Sequence, residues 1–599
     1  MPFDPAVVTS RVSGRLRELA APRTAFAAGA LLIAAGLLIW PTYATLGPIA
    51  GDHSWRQAWT YSVAHNFIDE SANFFYPRHD WRGDGPGIVG SEPPIYAYGL
   101  SILMRIFGDG AFVCRLPTWL FFLASLVVGF RMLRREGHTV EPWLFVLAAA
   151  FSPMALCDFK QIQPDPLSAS LALIGAAVLR RSALEDCWRR FALGLAICTT
   201  SILVKPNALA VGPAMYLFAN LGAKNSSLRR WGLTALAFAI PLVLWGSWHL
   251  WAEHLTRTYA GGSHLISIEI EPGEISDNLR NAGNWLHITL FLLPVYVSSW
   301  WLAPALLAGL ALGFAPRYRV LSLCFLVWML AMLLEAGAFS SRLRNNWYYC
   351  LLFLAPVAYF TSIGLAPLVR VCQRPKEAPA SDLAAAIFLT GALAVGAWLA
   401  DDSVWGAITA DGPQLGFWAH ASVWLIPRGL GILMMIAVAA LALGTNAPAL
   451  IGRGFYWGRW VIVPLLVWSA RDAAFDSIQA VRARSGEAYW VPVRRMIAEA
   501  RAMVNRFSTR DDLFFVARDN PVVLYRMLRR GFAEPPLMAA AQSQAFYAKR
   551  GVRFAMHYVE MGAPPPWLAA MPVIAKGDFC TLYCLDTFGC PELKPGAGH

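Results

Sequence analysis

The sequence predicts a polytopic α-helical membrane protein that ends in a small soluble α/β domain. The chain has 599 residues, 57% of them hydrophobic, and its mean hydropathy of +0.46 is far above that of a soluble protein. Its apolar runs are about 17 to 25 residues long, which is the length a helix needs to cross a bilayer. Lys and Arg cluster in the short loops between these runs, as the orientation of a membrane protein requires.

The charge and the amino-terminal segment indicate how the chain is oriented. The net charge is +12 and the pI is about 9.3. Because the cations occupy loops between spans, this charge indicates membrane orientation and not a nucleic-acid partner. Several arginines precede the first apolar run, which lacks a small-residue cleavage site. That run is therefore predicted to be a retained signal anchor, with the amino terminus in the cytoplasm.

About thirteen spans follow from the apolar runs and the loop charges. They are predicted at residues 24–46, 113–133, 141–157, 165–180, 190–204, 207–222, 231–251, part of 288–314, 320–338, 347–368, 383–400, 423–443 and 459–473. The odd number places the carboxyl end outside the cytoplasm. We therefore predict a multi-pass protein of the cytoplasmic (inner) membrane, with its membrane domain over residues 1–473.

Two further segments complete the predicted architecture. The run Pro94–Phe107 is apolar but too short to span, so we expect a helix at the outer membrane interface. Over residues 474–599 the hydropathy falls, which predicts a soluble extracytoplasmic α/β domain. Its predicted elements are strands at Leu513–Val516, Val552–Tyr558 and Phe579–Leu585, a helix at Pro521–Arg530 ended by Gly531, and a helix at Ala539–Lys549. No glycine-rich phosphate fingerprint is present, so no cofactor is assigned to this domain.

The first outer loop, residues 48–112, has the composition of a functional site. Its Gly51–Pro94 stretch contains acidic residues, histidines and the arginines Arg56 and Arg82 directly after a predicted span. Asp52 follows that span within a few residues, so we expect its carboxylate at the lipid–water boundary. The tryptophans of the loop would anchor it there. This is where a lipid headgroup would be bound.

Four cations oppose the predicted topology. They lie in outer loops, where Lys and Arg should be sparse, and they are Lys160, Lys205, Arg342 and Arg344. A phosphate bound between them would explain their positions, because ammonium and guanidinium groups form charge-assisted hydrogen bonds with phosphate. The alternative is that they pair with Asp158, Asp165 or Glu335, or reach lipid phosphates without specificity.

Carboxylates in the same outer loops are candidates for proton transfer. Asp52 is a candidate general base, with helix capping as the alternative. Asp165 is held between two prolines at the mouth of a span, where it would orient an acceptor, pair with Lys160 or help to bind a divalent ion. Glu92 is placed in a similar way before two prolines. The histidines show no two-ligand helical spacing that would indicate zinc, so we expect them to have polar or hydrogen-bonding roles. The sequence does not specify whether the protein requires a metal ion.

Five segments spread over residues 25–370 resemble one family of membrane enzymes. They are GDHSWRQA, YPRHDWRGDGPGIVGSEPPIY, RLPTWLF, LVKPNALA and NWYYCLLFLAP. Together they are similar to glycosyltransferase family 39-type enzymes. That group has the GT-C fold, includes protein O-mannosyltransferases and is related to the lipid A aminoarabinose transferases. The predicted span number and the outer carboxyl-terminal domain also resemble the aminoarabinose transferase layout.

The resemblance implies roles for the candidate residues. The family's catalytic aspartate would fall on Asp52, its second-loop acidic position on Asp165, and its arginine/tyrosine-tyrosine region on Arg342, Arg344, Tyr348 and Tyr349. The expected donor-phosphate ligands are Lys160, Lys205, Arg342 and Arg344. The expected acceptor-binding or site-organising residues are Glu92, Asp165, Arg56, Arg82, Tyr348 and Tyr349. His53 follows Asp52 where protein mannosyltransferases typically have Glu, which disfavours a protein acceptor.

The leading hypothesis is an inverting transfer of a hexose or pentose from a polyprenyl phosphate to a lipid-linked or cell-envelope glycan on the outer face. A transporter or flippase of a lipid-linked saccharide is the alternative, since it also needs interfacial cations. Such a transporter should show broken helices and ionisable groups near mid-bilayer. A structural subunit would leave the charge of the first outer loop unexplained. The crowding of charge at one face favours the enzyme.

Overall fold

The computed structural model describes the chain in segments. They are residues 54–150, 152–221, 227–259, 273–289, 293, 297, 302–340, 346–373, 382, 487–516, 522–533, 544–559 and 562–585. The predicted spans at 24–46, 383–400, 423–443 and 459–473 lie outside the described residues, as does the predicted domain boundary after residue 473. Asp52, Arg342 and Arg344 also lie outside them.

The part of the chain before residue 374 is helical wherever regular structure is described. Its helices are α1 (Ser54–Asp69), α2 (Ile95–Phe107), α3 (Ala111–Arg135), α4 (Glu141–Ala150), α5 (Pro153–Asp158), α6 (Pro164–Glu185), α7 (Trp188–Val204), α8 (Gly212–Leu221), α9 (Leu228–Thr258), α10 (Glu274–Arg280), α11 (Ala282–Leu286), α12 (Ala303–Leu312), α13 (Arg319–Ala338) and α14 (Leu354–Gln373). Among the described residues, α3, α6, α9, α13 and the helical stretch Tyr348–Val371 are long and apolar enough to cross a membrane. The protein is thus multi-pass, and the described segments do not test the full number of spans.

Two of the predicted spans are not continuous α-helices. The predicted span 141–157 consists of α4 and α5, and the Ser152 side chain caps α5 by accepting a hydrogen bond from the Ala155 N–H. The predicted span 207–222 begins as a 3-10 turn, Pro206–Ala210, before α8. Proline has no N–H and disfavours helical geometry in the preceding residue, so Pro153 and Pro206 each favour a helix end in front of them.

The centre of the helical part is formed by α6 and the Tyr348–Val371 stretch. In these two helices 72% and 89% of the most apolar window is buried, against 22% in α9. α6 packs against α3, α7 and α8, while α14 packs against α4, α12 and α13. The α12–α14 contact depends on Gly309 and Gly364, because a Cβ at either position would collide with a backbone carbonyl of the other helix. Small residues allow such close backbone approach.

Ion pairs join one end of this helical bundle. Glu141, at the start of α4, accepts hydrogen bonds from the Tyr318 hydroxyl and the Arg370 guanidinium, both at 2.7 Å. Arg180, near the end of α6, pairs with Glu136 at 2.8 Å, just after α3. These residues belong to the helix ends that the loop charges predict to be cytoplasmic. The starts of α6 and α14 and the end of α7 therefore lie at the opposite end.

The carboxyl-terminal part contains a five-stranded sheet. After α15 (Glu487–Phe507) its elements are β1 (Leu513–Val516), α16 (Val522–Met527), β2 (Gly531–Ala533), α17 (Gln544–Ala548), β3 (Val552–Tyr558), α18 (Pro566–Ala569), β4 (Val573–Lys576) and β5 (Cys580–Cys584). The strand order is β2-β1-β3-β5-β4. β1 is parallel to both β2 and β3, whereas β5 is antiparallel to β3 and β4.

Two elements of this sheet were not predicted. Gly531 was expected to end a helix, but that helix ends at Met527 and Gly531 opens the parallel strand β2. A Cβ at Gly531 would collide with the backbone carbonyl of Phe514, so only glycine fits this close pairing. β4 has only four residues, and the residues at both of its ends are exposed. Its sequence therefore shows no clear alternation of apolar and polar residues.

The α12–α14 contact generates a stability prediction. Gly364→Val should lower the thermal unfolding midpoint of the protein in detergent by several degrees. A clash with backbone forces the helices apart, which costs about 2 kcal/mol or more. Gly246→Val, in α9, is the matched control because nothing lies within 4 Å of its added Cβ. Equal midpoints for the two variants in a thermal scan would contradict the proposed packing role.

Candidate functional site

Helix α1 carries several polar side chains that are buried. Its residues from Arg56 to Phe67 are all buried, and they include Gln57 and Asn66. Buried polar groups are expected to be paired. The Arg56 guanidinium forms an ion pair with the Glu92 carboxylate and lies 4.9 Å from the centroid of the Trp59 ring. Glu92 is followed by Pro93 and Pro94 and the start of α2, which restrict its backbone.

Lys205 joins this pair to the central helices. It is the C-cap residue of α7, and Pro206 directly after it prevents the helix from continuing. Its Nζ is 3.5 Å from Glu92 Oε1 and 3.5 Å from Asp165 Oδ1. The ammonium also lies 5.2 Å from the centroid of the Tyr349 ring. Lys205 is only 9% exposed, so these contacts replace most of its hydration.

Asp165 is held at the start of α6. Pro164 occupies the first turn, as proline prefers, and Asp165 is the acidic residue of that turn. Its carboxylate is 4% exposed and faces the positive end of the helix dipole. Tyr348 is also buried and lies within the electrostatic range of Asp165 and Arg56.

We call Arg56, Glu92, Asp165, Lys205 and Tyr349 the Lys205 cluster. Its members come from α1, the first outer loop, α6, the turn after α7 and the 3-10 turn Trp347–Phe353. Two positive and two negative side chains give the cluster a net charge of zero. Each cation therefore has a carboxylate that offsets the cost of its desolvation, and it can exchange that carboxylate for another anion.

Two further contacts involve elements that supply the cluster. Glu335 was named at the sequence level as an alternative partner of the outer-loop cations, whereas the contact of Gln57 was not predicted. Glu335, near the end of α13, accepts a hydrogen bond from the Asn207 side chain and interacts electrostatically with Lys205. Gln57 accepts a hydrogen bond from the Ile162 N–H at 3.3 Å, which ties α1 to the segment before α6. Glu335 had a usable signal, because an acidic residue inside an otherwise apolar span marks a functional site.

Other candidate residues have different partners. Arg82 pairs with Glu70 and donates to the Pro86 carbonyl at 2.9 Å, so it braces the first outer loop. Lys160 accepts a hydrogen bond at its backbone carbonyl from Arg115, at 2.7 Å. Among the residues that the structure describes, no group of three or more His, Cys, Asp or Glu side chains is arranged to hold a metal ion.

The first outer loop is attached to the carboxyl-terminal sheet. Trp81 forms a bridge with Gly531 of β2, the Gly83 N–H donates to the Gly531 carbonyl at 2.9 Å, and the Gly531 N–H donates to the Asp80 carbonyl at 3.1 Å. Arg510 pairs with Asp69 at the end of α1. The loop, α1 and the sheet are therefore one connected structure.

Burial shifts the pKa values of ionisable groups at this attachment. Burial lowers the pKa of His79 to about 3, with the charge of Arg82 acting in the same direction. The His79 Nδ1 contacts the Tyr525 hydroxyl at 3.4 Å. Burial raises the pKa of the Asp80 carboxyl, which accepts hydrogen bonds from Ser62 at 2.9 Å and Asn66 at 3.1 Å. His79 is thus neutral in the folded protein at physiological pH.

Sequence comparison supports the resemblance for part of the chain. Residues 91–248 match the family model described as dolichyl-phosphate-mannose-protein mannosyltransferase. This segment includes Glu92, Lys160, Asp165 and Lys205. No significant match was found among curated protein sequences.

Comparison with solved structures identifies the fold. The structure of ArnT from Cupriavidus metallidurans bound to undecaprenyl phosphate matches with a TM-score of 0.56 at 13% identity, over 95% of this chain and 99% of that one. The apo structure of the same ArnT gives a TM-score of 0.55 at 13% identity, over 94% and 99%. An oligosaccharyltransferase from Archaeoglobus fulgidus, tethered to an acceptor peptide, gives 0.45 at 11% identity, over 89% and 69%. The predicted resemblance to GT-C membrane glycosyltransferases is confirmed.

The buried neutral His79 generates a pH prediction. As the pH falls from 6.5 towards 3, the unfolded chain gains a proton that folded His79 does not accept, so folded-state stability is lost. The loss is at most about 1.4 kcal/mol per pH unit for one group. His79→Asn should therefore flatten the fall of the unfolding midpoint between pH 7 and pH 4. His254→Asn, an exposed position on α9, is the control and should follow the wild-type curve. Parallel curves for wild type and His79→Asn would contradict the assignment.

Proposed function

We propose that this chain, which has the fold of GT-C membrane glycosyltransferases, transfers a sugar from a polyprenyl phosphate to an acceptor. The acceptor is a lipid-linked or cell-envelope glycan at the outer face of the cytoplasmic membrane, and the transfer inverts the anomeric centre. The observation that carries this proposal is the Lys205 cluster, in which Lys205 lies 3.5 Å from both Glu92 and Asp165.

The cluster lies at one end of the apolar helices, where a carrier phosphate would be. Asp165 begins α6 and Lys205 follows the end of α7, and these helices run in opposite directions against each other. Glu335 near the end of α13 and Tyr348 before α14 are at this same end. A polyprenyl chain in the bilayer would therefore present its headgroup to the cluster.

The donor phosphate would bind cations that are now held by carboxylates. Lys205 and Arg56 are buried but already neutralised by Glu92 and Asp165. A phosphate would therefore need additional positive charge, which we assign to Lys160, Arg342 and Arg344. On leaving with its lipid, the phosphate would be stabilised by the same charge-assisted hydrogen bonds.

Asp52 is the proposed general base. Inverting transfer requires one group that takes the proton of the acceptor hydroxyl as that oxygen attacks the anomeric carbon. Asp52 precedes Arg56 by four positions in the sequence. Asp165 and Tyr348 are proposed to orient the reacting groups beside it.

The attachment of the first outer loop to the sheet supports the proposed membrane orientation. Residues 78–88 of the loop and β2 contact each other directly, so both must lie on one side of the membrane. The arginines at the opposite helix end, Arg180 and Arg370 among them, satisfy the positive-inside rule if that end is cytoplasmic. We therefore place the amino terminus in the cytoplasm and the 474–599 domain outside it.

The proposed function is tested by mass spectrometry of envelope glycans and glycolipids. Cells that lack the protein should lose one sugar increment from one species, and wild-type protein should restore it. Asp52→Asn should not restore it, because the amide cannot take a proton, although the protein should accumulate in the membrane normally. Asp84→Asn, an exposed acid of the same loop, is the matched control and should restore the increment. Restoration of the increment by Asp52→Asn would show that Asp52 is not the general base. An unchanged mass spectrum of the glycans and glycolipids in cells without the protein would contradict the proposed function.

A further inference from the structure

Unpaired polar atoms are buried beside the Lys205 cluster. Gln163 is 0% exposed, and within the described part of the chain neither atom of its side-chain amide has a hydrogen-bond partner. Gln161 is 3% exposed, and its Oε1 has no hydrogen-bond partner among the described residues. Both carboxylate oxygens of Asp165 lack a hydrogen-bond donor among the described residues, although Lys205 Nζ is 3.5 Å from one of them.

These side chains are fixed by the backbone around them. The Ile162 N–H, between the two glutamines, donates to Gln57 of α1 at 3.3 Å. The Lys160 carbonyl is held by Arg115 of α3 at 2.7 Å, and Gln163 is the N-cap residue of α6 without making a side-chain cap hydrogen bond. The segment is therefore tied to its neighbours through main-chain contacts, while its amide side chains take no part in them.

A buried polar atom without a partner destabilises the fold, so each one calls for a physical reason. Three such residues within the five positions from Gln161 to Asp165 are not needed to hold that segment. The side-chain Oδ1 of Asn207, two residues after Lys205, is likewise buried and unpaired among the described residues. The unpaired atoms therefore belong to the two segments that supply Asp165 and Lys205.

The chemical types of these atoms specify the ligand. Gln161 Oε1, Gln163 Oε1, Asn207 Oδ1 and the two Asp165 oxygens are acceptors, whereas Gln163 Nε2 is the one donor group in the set. Acceptors in excess are matched by a ligand rich in hydrogen-bond donors such as O–H groups. A phosphate supplies acceptors and would be repelled, and a polyprenyl chain supplies no hydrogen bond. A sugar ring with several adjacent hydroxyls supplies both donors and acceptors.

We propose that Gln161, Gln163 and Asn207, together with Asp165, form a subsite that binds the hydroxyl groups of the sugar carried by the lipid donor. The subsite rests on the proposed function and adds to it the residues that select the sugar. Recognition of the donor then has two parts. Lys205 and Arg56 bind the phosphate, and the subsite binds the hydroxyl groups of the sugar ring. Loss of a buried acceptor or donor should therefore reduce affinity only for donors that carry a sugar.

The first experiment separates the two parts of donor recognition. The full-length protein in nanodiscs is titrated with undecaprenyl phosphate alone and with undecaprenyl phosphate carrying mannose, glucose or arabinose. Gln163→Leu should weaken binding of the sugar-bearing lipid that wild type binds best by about 10-fold or more. Its affinity for undecaprenyl phosphate should stay within about twofold of wild type. Lys205→Met is the contrasting variant, and it should weaken all of these lipids.

Two results would overturn the subsite. One is an unchanged affinity of Gln163→Leu for the preferred sugar-bearing lipid, and the other is an equal loss for lipids with and without a sugar. A third result would contradict the proposed function itself. If the wild-type protein bound none of the four lipids, both the proposed function and the subsite would be wrong.

A second experiment distinguishes ligand recognition from a structural role. Leucine is one heavy atom smaller than glutamine and has no polar atoms, so Gln163→Leu removes unpaired buried groups and should keep or raise the unfolding midpoint of the unliganded protein. Asn66→Leu is the matched control, because its amide donates to Asp80 at 3.1 Å and accepts from Arg510 at 3.1 Å. That variant should lower the midpoint by several degrees. A comparable drop for Gln163→Leu would show a structural amide and contradict the subsite.

Discussion

The contact of Lys205 with two carboxylates is the constraint on which the site depends. Its ammonium is 3.5 Å from Glu92 and 3.5 Å from Asp165, and it is too deeply buried to keep its hydration shell. Such a charge is stable only while a partner stays beside it. The first outer loop, α6 and the turn after α7 are therefore held at fixed positions by one side chain. The same balance of charge keeps the cations available to a phosphate without leaving them unpaired in its absence.

Helix α1 links this site to the carboxyl-terminal sheet. It has 16 residues, so it is about 24 Å long, and it carries Arg56 at one end and Asp69 at the other. Arg56 belongs to the Lys205 cluster, whereas Asp69 pairs with Arg510 of the sheet region. Because α1 is buried along most of its length, its packing fixes the positions of the residues at both of its ends relative to each other. The carboxyl-terminal sheet thereby helps to fix the geometry of the Lys205 cluster.

The sequence predicted much of this arrangement and missed the rest for physical reasons. Lys205 was recognisable because a cation in an outer loop opposes the predicted topology, and Glu92 and Asp165 because each is an acidic residue beside prolines. Arg82 was a candidate as an arginine of the first outer loop, yet it pairs with Glu70, since partner choice is decided by tertiary contacts that residue types do not encode. The helix break at Pro153 and the short strand β4 were missed because apolar runs give no information about hydrogen-bond partners. Gln163 carried no signal at all, because an unpaired amide is visible only once its neighbours are placed.

The most direct test of the central claim is a cryo-electron microscopy structure of the full-length protein in nanodiscs with undecaprenyl phosphate. If the Lys205 cluster receives the carrier headgroup, phosphate density should lie within hydrogen-bond distance of Lys205 Nζ or the Arg56 guanidinium, about 3 Å away. Either Glu92 or Asp165 should then have moved from its present cation. Phosphate density at the opposite end of the bundle, beside Glu141 and Arg370, would contradict the account.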